Sequence, residues 1–319
     1  MPAVMPIPPA ILTLLLGMAL VLTGLWVGQN VSLLPVDASS NAPIYDELFK
    51  VLFSIGTILF VGIVGLIVYS LVRFRRRASD LGDGVAIEGN LPLEILWTAI
   101  PAVVVLFVGI YSYDIYDRMG GMAPLNDHAM HAMHEQASDS HTWAGISPVA
   151  TEGQEGVTAL PIDVTAMQFA FIFHYPDADI TSGELHVPLG QPVALQMRAN
   201  DVIHAFWVPQ FRLKQDVIPG RAIDFNLTPI REGRYRLRDS QFSGTWFAAN
   251  QADVVVQSQD DYHSWLKQAA SSPLQPGLSV AVHEFSERQQ RPNPGWATVP
   301  PAPPPEVNVP GHPSLPHDG

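Results

Sequence analysis

Residues 48–77 read Leu48-Phe-Lys-Val-Leu-Phe-Ser-Ile-Gly-Thr-Ile-Leu-Phe-Val-Gly-Ile-Val-Gly-Leu-Ile-Val-Tyr-Ser-Leu-Val72-Arg73-Phe74-Arg75-Arg76-Arg77. An apolar run of about 20 residues or more crosses a hydrocarbon core of roughly 30 Å. An arginine cluster directly behind it holds that end on the cytoplasmic side. A second run, Leu93–Tyr116, follows. Between them Gly82-Asp83-Gly84 and Gly89-Asn90-Leu91-Pro92 punctuate a turn. Residues 48–116 therefore predict a two-helix transmembrane hairpin, with loop 73–92 inside and the C-terminal half outside. Residues 28–47 contain no Lys or Arg, and residues 117–160 only Arg118, which gives the same orientation. Pro101 should kink the second helix, as membrane helices tolerate.

Upstream lies another apolar block, roughly Ile11–Val27, within an N-terminal segment and outer loop covering 1–47. It reads as a signal sequence or a retained helix. The absence of a basic start and of a convincing Ala-x-Ala site favours retention. The chain is 47% hydrophobic and 15% charged, with a net charge of −13 that falls mostly on the outer half. An acidic outer domain argues against nucleic acid as a partner. The chain has no Cys, hence no disulfide, no lipid-anchored Cys and no thiolate metal ligand.

Downstream, residues 117–160 form a linker rich in His, Met, Ala and Gly, with no helix or strand period. Short alternating runs follow: Ile162–His174, Gly183–Pro188, Pro192–Arg198, Arg221–Leu227, Gly233–Leu237 and Asp253–Gln257. Turn signals at intervals of roughly ten residues predict an all-β sandwich or barrel. Residues 161–268 make the exported domain, closing with a short helix over Asp260–Ala270. The Pro-rich tail, 269–319, should be extended or disordered.

Several motifs carry a family resemblance. They are Phe74-Arg-Arg-Arg77, Leu93-Glu-Ile-Leu-Trp-Thr98, Ser182-Gly-Glu-Leu-His-Val-Pro188 and the run Asp201-Val-Ile-His204-Ala-Phe-Trp-Val-Pro-Gln-Phe-Arg-Leu-Lys-Gln-Asp-Val-Ile-Pro-Gly-Arg221. In this order they resemble subunit II of haem-copper terminal oxidases, over about Gln29 to Gln268, with wording close to cyanobacterial members. The resemblance implies a membrane α-helical hairpin plus an all-β cupredoxin-like (Greek-key sandwich) domain.

In that family a loop Cys-x-Glu-x-Cys, then His and Met, helps hold a dinuclear copper centre (CuA). Laid on this chain without gaps, those positions are Asp239, Gln241, Ser243, Phe247 and Asn250; the other ligand position is His204. A bridged copper pair needs soft thiolates, so the resemblance implies a subunit II without CuA. His204 is then expected to be a half-buried His hydrogen-bonded within its loop. The family's electron-input Trp position is Phe171, which burial alone explains. The family's magnesium or manganese ligand position is Gln241, and a neutral amide weakens a hard-cation site.

Glu94, in Pro92-Leu93-Glu94-Ile95-Leu96-Trp97-Thr98, matches a family Glu at the cytoplasmic mouth of a proton-uptake channel of subunit I. The alternative is a solvated first-turn Glu favoured by the helix dipole. Outside the family pattern, His128, Met130, His131, Met133 and His134 are weak copper candidates, because imidazole and thioether suit copper. Seven basic residues, Arg212, Lys214, Arg221, Arg231, Arg234, Arg236 and Arg238, read as an interface patch.

The resemblance implies no cofactor in this chain, with haem and copper in a partner subunit I. Implied partners are subunits I and III, membrane lipid and a quinol (plastoquinol or ubiquinol), with no nucleic acid. The expected place is the plasma or thylakoid membrane, with the C-terminal domain periplasmic or lumenal. Two other readings stay open: an oxidase fed by a soluble carrier such as cytochrome c docking without CuA, and a stand-alone membrane-anchored copper-binding module.

Overall fold

The computed structural model describes residues 8–75, 89–118, 143–144, 159–293 and 295–311. The chain divides into a helical unit (1–34 with 45–115) and a β unit (35–44 with 116–319). Helices α1 (Pro9–Asn30), α2 (Ala42–Arg73) and α3 (Leu91–Arg118) are each long and apolar enough to cross a membrane. Helix α2 begins at Ala42, earlier than the apolar run at Leu48, because Pro43 suits a first turn where its missing N–H is not needed. Asn90 caps α3, its side-chain oxygen accepting the Leu93 N–H at 3.2 Å.

Helices α1 and α2 meet along three steps: Leu20 at Gly62, Gly24 at Ile58, and Gly28 at Ser54. The spacing is four residues on both helices. A Cβ on Gly24 would lie 2.2 Å from Ile58 Cγ1, and one on Gly28 would lie 1.9 Å from Ser54 Oγ. Lipid offers no hydrophobic drive between helices, so close approach over small residues supplies the contact.

The β unit is a two-sheet sandwich. Its strands are β1 (Trp143–Ala144), β2 (Leu160–Met167), β3 (Ala170–Tyr175), β4 (Ile180–Ser182), β5 (Leu185–Pro188), β6 (Val193–Ala199), β7 (His204–Val208), β8 (Leu213–Val217), β9 (Ile223–Leu227), β10 (Gly233–Asp239) and β11 (Gln251–Gln257). One sheet runs β1-β9-β6-β2-β3-β4 and the other β5-β11-β10-β7-β8. Between them lie Ile162, Phe173, Tyr175, Leu195, Met197, Phe206 and Leu237, all buried. Helix α4 (Gln259–Ser271) starts at a Ser258 cap and packs Trp265 and Leu266 against this core.

Three expectations need correction. The run Ile162–His174 is two strands. Its inward positions change from even (Ile162, Val164, Ala166) to odd (Phe169, Phe171, Phe173) across Gln168-Phe169, which carries none of the usual turn residues. Strands β7 and β8 add to the alternating runs; they lie within 201–221, which reads as a family motif before it reads as alternation. The linker holds a two-residue strand, Trp143–Ala144, parallel to Ile223-Asp224. Finally, the tail is not disordered over its described part. It forms β12 (Gln275–Pro276), α5 (Val280–Gln289) and β13 (Glu306–Val307), and buries Ala281 and Val307 completely. Its few apolar residues are spaced to cover the sandwich, which composition alone does not reveal.

The outer loop is part of the β unit. The Ala38 N–H donates to the Gln210 carbonyl (2.9 Å) and the Ser40 N–H to the Thr228 carbonyl (3.0 Å), while the Ala38 carbonyl accepts the Ile230 N–H (3.0 Å). Ser39 Oγ donates to the Phe211 carbonyl at 2.7 Å.

Candidate functional site

At one end of the sandwich, β7 opens at His204 and β10 closes at Asp239. The loop 240–250 then returns the chain to β11, tied by the Asp239 N–H to the Asn250 carbonyl at 3.0 Å. This places His204, Asp239, Ser243 and Asn250 side by side, all buried. His204 Nδ1 lies 2.6 Å from Asp239 Oδ2, and His204 Nε2 lies 2.8 Å from Asp201 Oδ1. Ser243 Oγ donates to Asp239 Oδ2 at 2.8 Å and Asn250 Nδ2 to the same oxygen at 3.1 Å. The other oxygen, Asp239 Oδ1, accepts the N–H groups of Ala205 (2.9 Å) and Gln241 (3.1 Å).

A carboxylate with this many donors stays ionised although buried. Burial works against the charge of Asp239, but the His204, Ala205, Ser243 and Gln241 hydrogen bonds outweigh it and hold its pKa below the ordinary value. Burial likewise opposes the charge of His204, and its bonds to Asp239 and Asp201 outweigh that and raise its pKa. Both shifts favour the charged forms, and a carboxylate oxygen on each ring nitrogen suits a His204 that donates from both. His204 is therefore fully buried at the start of a strand, not half-buried in a loop.

Phe171 presents a ring edge to His204 at 6.4 Å and to Phe206 at 6.0 Å, as a packing residue. Phe247 falls in the turn Phe247–Ala249 and packs on Phe242 at 5.3 Å. Gln241 contributes its backbone N–H. Two members were missed from sequence. Asp201 was visible three residues before His204. Gln168, on the hairpin turn, donates its N–H to Asp201 Oδ2 at 2.6 Å and its side-chain amide to the Ser243 carbonyl; nothing local marked it.

A second buried cluster sits on the flank. Asp253 pairs with Arg234 (2.5 Å) and Arg236 (2.9 Å), and Glu184 pairs with His186 (3.1 Å) and Arg234 (3.3 Å). The His186 ring stacks on Trp265 at 4.1 Å. The basic patch is thus partly spent within the chain. Arg234 and Arg236 neutralise acids, and Arg212 and Arg231 hold the carbonyls of Pro35 and Asp37.

Glu94 lies exposed in the first turn of α3, its carbonyl accepting Thr98 Oγ1 at 2.9 Å. The His/Met candidates His128, Met130, His131, Met133 and His134 lie outside the described residues.

The donor chemistry decides what this end of the sandwich can hold. A dinuclear copper centre requires bridging sulfur. The positions offer an imidazole, a carboxylate, a hydroxyl, two amides and a phenyl ring, none of them sulfur, and His204, Ser243 and the Asn250 amide nitrogen are all bonded to Asp239. The residues present do not fit that centre.

Comparison with known proteins gives the family. The pattern described as "Cytochrome C oxidase subunit II, transmembrane domain" matches residues 24–115, and "Cytochrome C oxidase subunit II, periplasmic domain" matches residues 177–259. The chain is 43% identical over 305 residues to cytochrome c oxidase subunit 2 of Thermostichus vulcanus, covering 88% of this chain and 92% of the relative. It is 40% identical over 285 residues to cytochrome c oxidase subunit 2 of Synechocystis sp., covering 85% and 86%. It is also 26% identical over 222 residues to quinol oxidase subunit 2 of Bacillus subtilis, covering 68% and 60%.

Proposed function

This chain belongs to the cytochrome c oxidase subunit II family, and from that premise we propose that it is the CuA-free subunit II of a haem-copper terminal oxidase fed by membrane quinol. It is anchored in the membrane with its β domain on the outer side. In this reading oxygen is reduced in subunit I. The present chain braces the complex and takes no electron itself.

One observation carries the reading. The side chains at the copper-ligand positions close on one another as a hydrogen-bonded His204–Asp239–Ser243–Asn250 network, without any sulfur. A soluble carrier would find no metal relay there. The Bacillus subtilis relative, named as a quinol oxidase subunit, supports a quinol donor. Glu94 supplies the second role. A carboxylate on the cytoplasmic first turn of α3 can collect protons and pass them to a water chain in subunit I.

The test is donor choice by the purified complex. Oxygen uptake with quinol, and none with reduced cytochrome c, is the expected result. Turnover with reduced cytochrome c would overturn it in favour of a soluble carrier. That second reading draws on the higher identity to relatives named cytochrome c oxidase subunit 2. Glu94→Gln should lower oxygen uptake without changing the stability of the β domain; unchanged uptake would remove the proton role.

A further inference from the structure

Beyond α5 the chain turns back over the same end of the sandwich. The run Pro300-Pro-Ala-Pro-Pro-Pro305 has one residue with a backbone N–H, Ala302. That N–H donates to the Gln168 carbonyl at 3.0 Å. The Val299 carbonyl accepts Trp246 Nε1–H, from the loop 240–250, at 3.3 Å. Further on, Asn308 N–H donates to the Thr181 carbonyl (2.8 Å) and the Val309 carbonyl accepts Gly183 N–H (2.8 Å), so the segment lies along the edge strand β4. Its approach is close: a Cβ on Gly183 would stand 2.9 Å from the Pro310 carbonyl oxygen.

Gln168 is the junction. Its carbonyl holds the tail, its N–H holds Asp201, and its side-chain amide holds the Ser243 carbonyl. Asp201 bonds His204 and Ser243 bonds Asp239. Two short hydrogen-bond paths therefore run from the tail to the buried pair. The tail also roofs Phe171, whose ring edge faces His204. Val307 and Pro310 close a cavity of about 30 Å³ over Phe171, Glu184 and Asp253, and that is enough room for a water molecule.

We infer that residues 296–311 are a detachable strap that controls the access of water to the buried His204–Asp239 pair, acting through Gln168. A proline-rich segment is already extended, so it loses little entropy on docking and leaves without unfolding anything of its own. Edge addition to β4 is a mode of binding that main-chain bonds make and break together. The inference holds whichever donor feeds the oxidase.

Amide hydrogen exchange on the full chain in its complex tests it. The probes are the N–H groups of Ala205 and Asp239, which bond to Asp239 Oδ1 and to the Asn250 carbonyl. Gly183→Val should push the strap off without touching the pair, and truncation after Gly295 removes it. Both should speed exchange at Ala205 and Asp239 at least tenfold and leave the β2–β6 amides at their original rate. Ala302→Pro deletes only the bond to Gln168 and should give a smaller rise at the same two amides. Unchanged exchange at Ala205 and Asp239 in the truncated chain would overturn the inference. If truncation speeds exchange at every strand alike, Ala302→Pro decides: no local rise there means that Gln168 does not transmit.

Discussion

The β domain builds two clusters from the same ingredients, one histidine and two carboxylates each, and they are balanced in different ways: Glu184 and Asp253 on the flank are both buried, whereas at the end Asp239 is buried and Asp201 is exposed. On the flank, guanidinium groups of Arg234 and Arg236 pair with Asp253 and Glu184, and His186 bonds Glu184 while its ring stacks on Trp265. At the end of the sandwich no Arg or Lys among the described residues is bonded to Asp239, and His204, with a carboxylate oxygen on each ring nitrogen, is the group placed to balance it. The flank cluster is a structural ion-pair network. The end cluster is what a protein can build from hydrogen bonds at the crossing of β7, β10 and β11. It ties together the ends of these strands.

Restoring the metal chemistry is the strongest way to break the comparison. Asp239→Cys, Gln241→Glu, Ser243→Cys, Phe247→His and Asn250→Met together should let the end cluster take up copper and turn purple, because His204, Asp239, Ser243 and Asn250 already converge. A colourless product would mean the frame itself has moved. Next in size is the loss of a single carboxylate. Asp239→Asn should cost about 3–5 kcal/mol, since it breaks the buried pair and leaves His204 only the exposed Asp201 as a charged partner. Asp253→Asn should cost about 1–3 kcal/mol, because Arg234 keeps Glu184 and reaches water. Chemical denaturation compares the two, and equal costs would erase the distinction.

A pH series sharpens the contrast further. The raised pKa of His204 gives stability that is fully present below the unfolded value of about 6.5 and is lost as pH rises through the folded value. The lowered pKa of Asp239 gives stability present above about 3.9 and lost as pH falls through its folded value. The melting temperature of the β domain should therefore fall on the alkaline side in the wild type, and less steeply in His204→Gln. Parallel curves would deny His204 its charge. The smallest effect is expected from Arg234→Gln, about 1 kcal/mol or less, since this guanidinium is 40% exposed and Arg236 still holds Asp253.

What could be seen in the sequence follows from how far each signal acts. The membrane helices declared themselves through unbroken apolar runs and the arginines behind α2. That Asp239 and Ser243 carry oxygen and no sulfur is read from the sequence alone, because a residue type needs no geometry. The bonding of those same residues was not legible. Asp239 finds His204 across 35 positions and Gln168 finds Ser243 across 75, distances over which no local period speaks. The tail was legible in part for a related reason: prolines advertise an extended chain without a regular element, but not that Ala302 and Asn308 within it would be placed by Gln168 and Thr181, far away in sequence.

The outer loop between α1 and α2 has a consequence for biogenesis. Ser39 and Asp37 bond partners 172 and 194 residues later in the chain. They emerge early in synthesis and wait, unpaired, until the β strands arrive. If the first two helices insert upside down, Ala38 and Ser39 are left on the wrong side of the bilayer, and the carbonyls of Gln210, Phe211 and Thr228 lose their donors. Closing the sandwich thus requires the loop between the first two helices to be on the same side of the bilayer as the β strands.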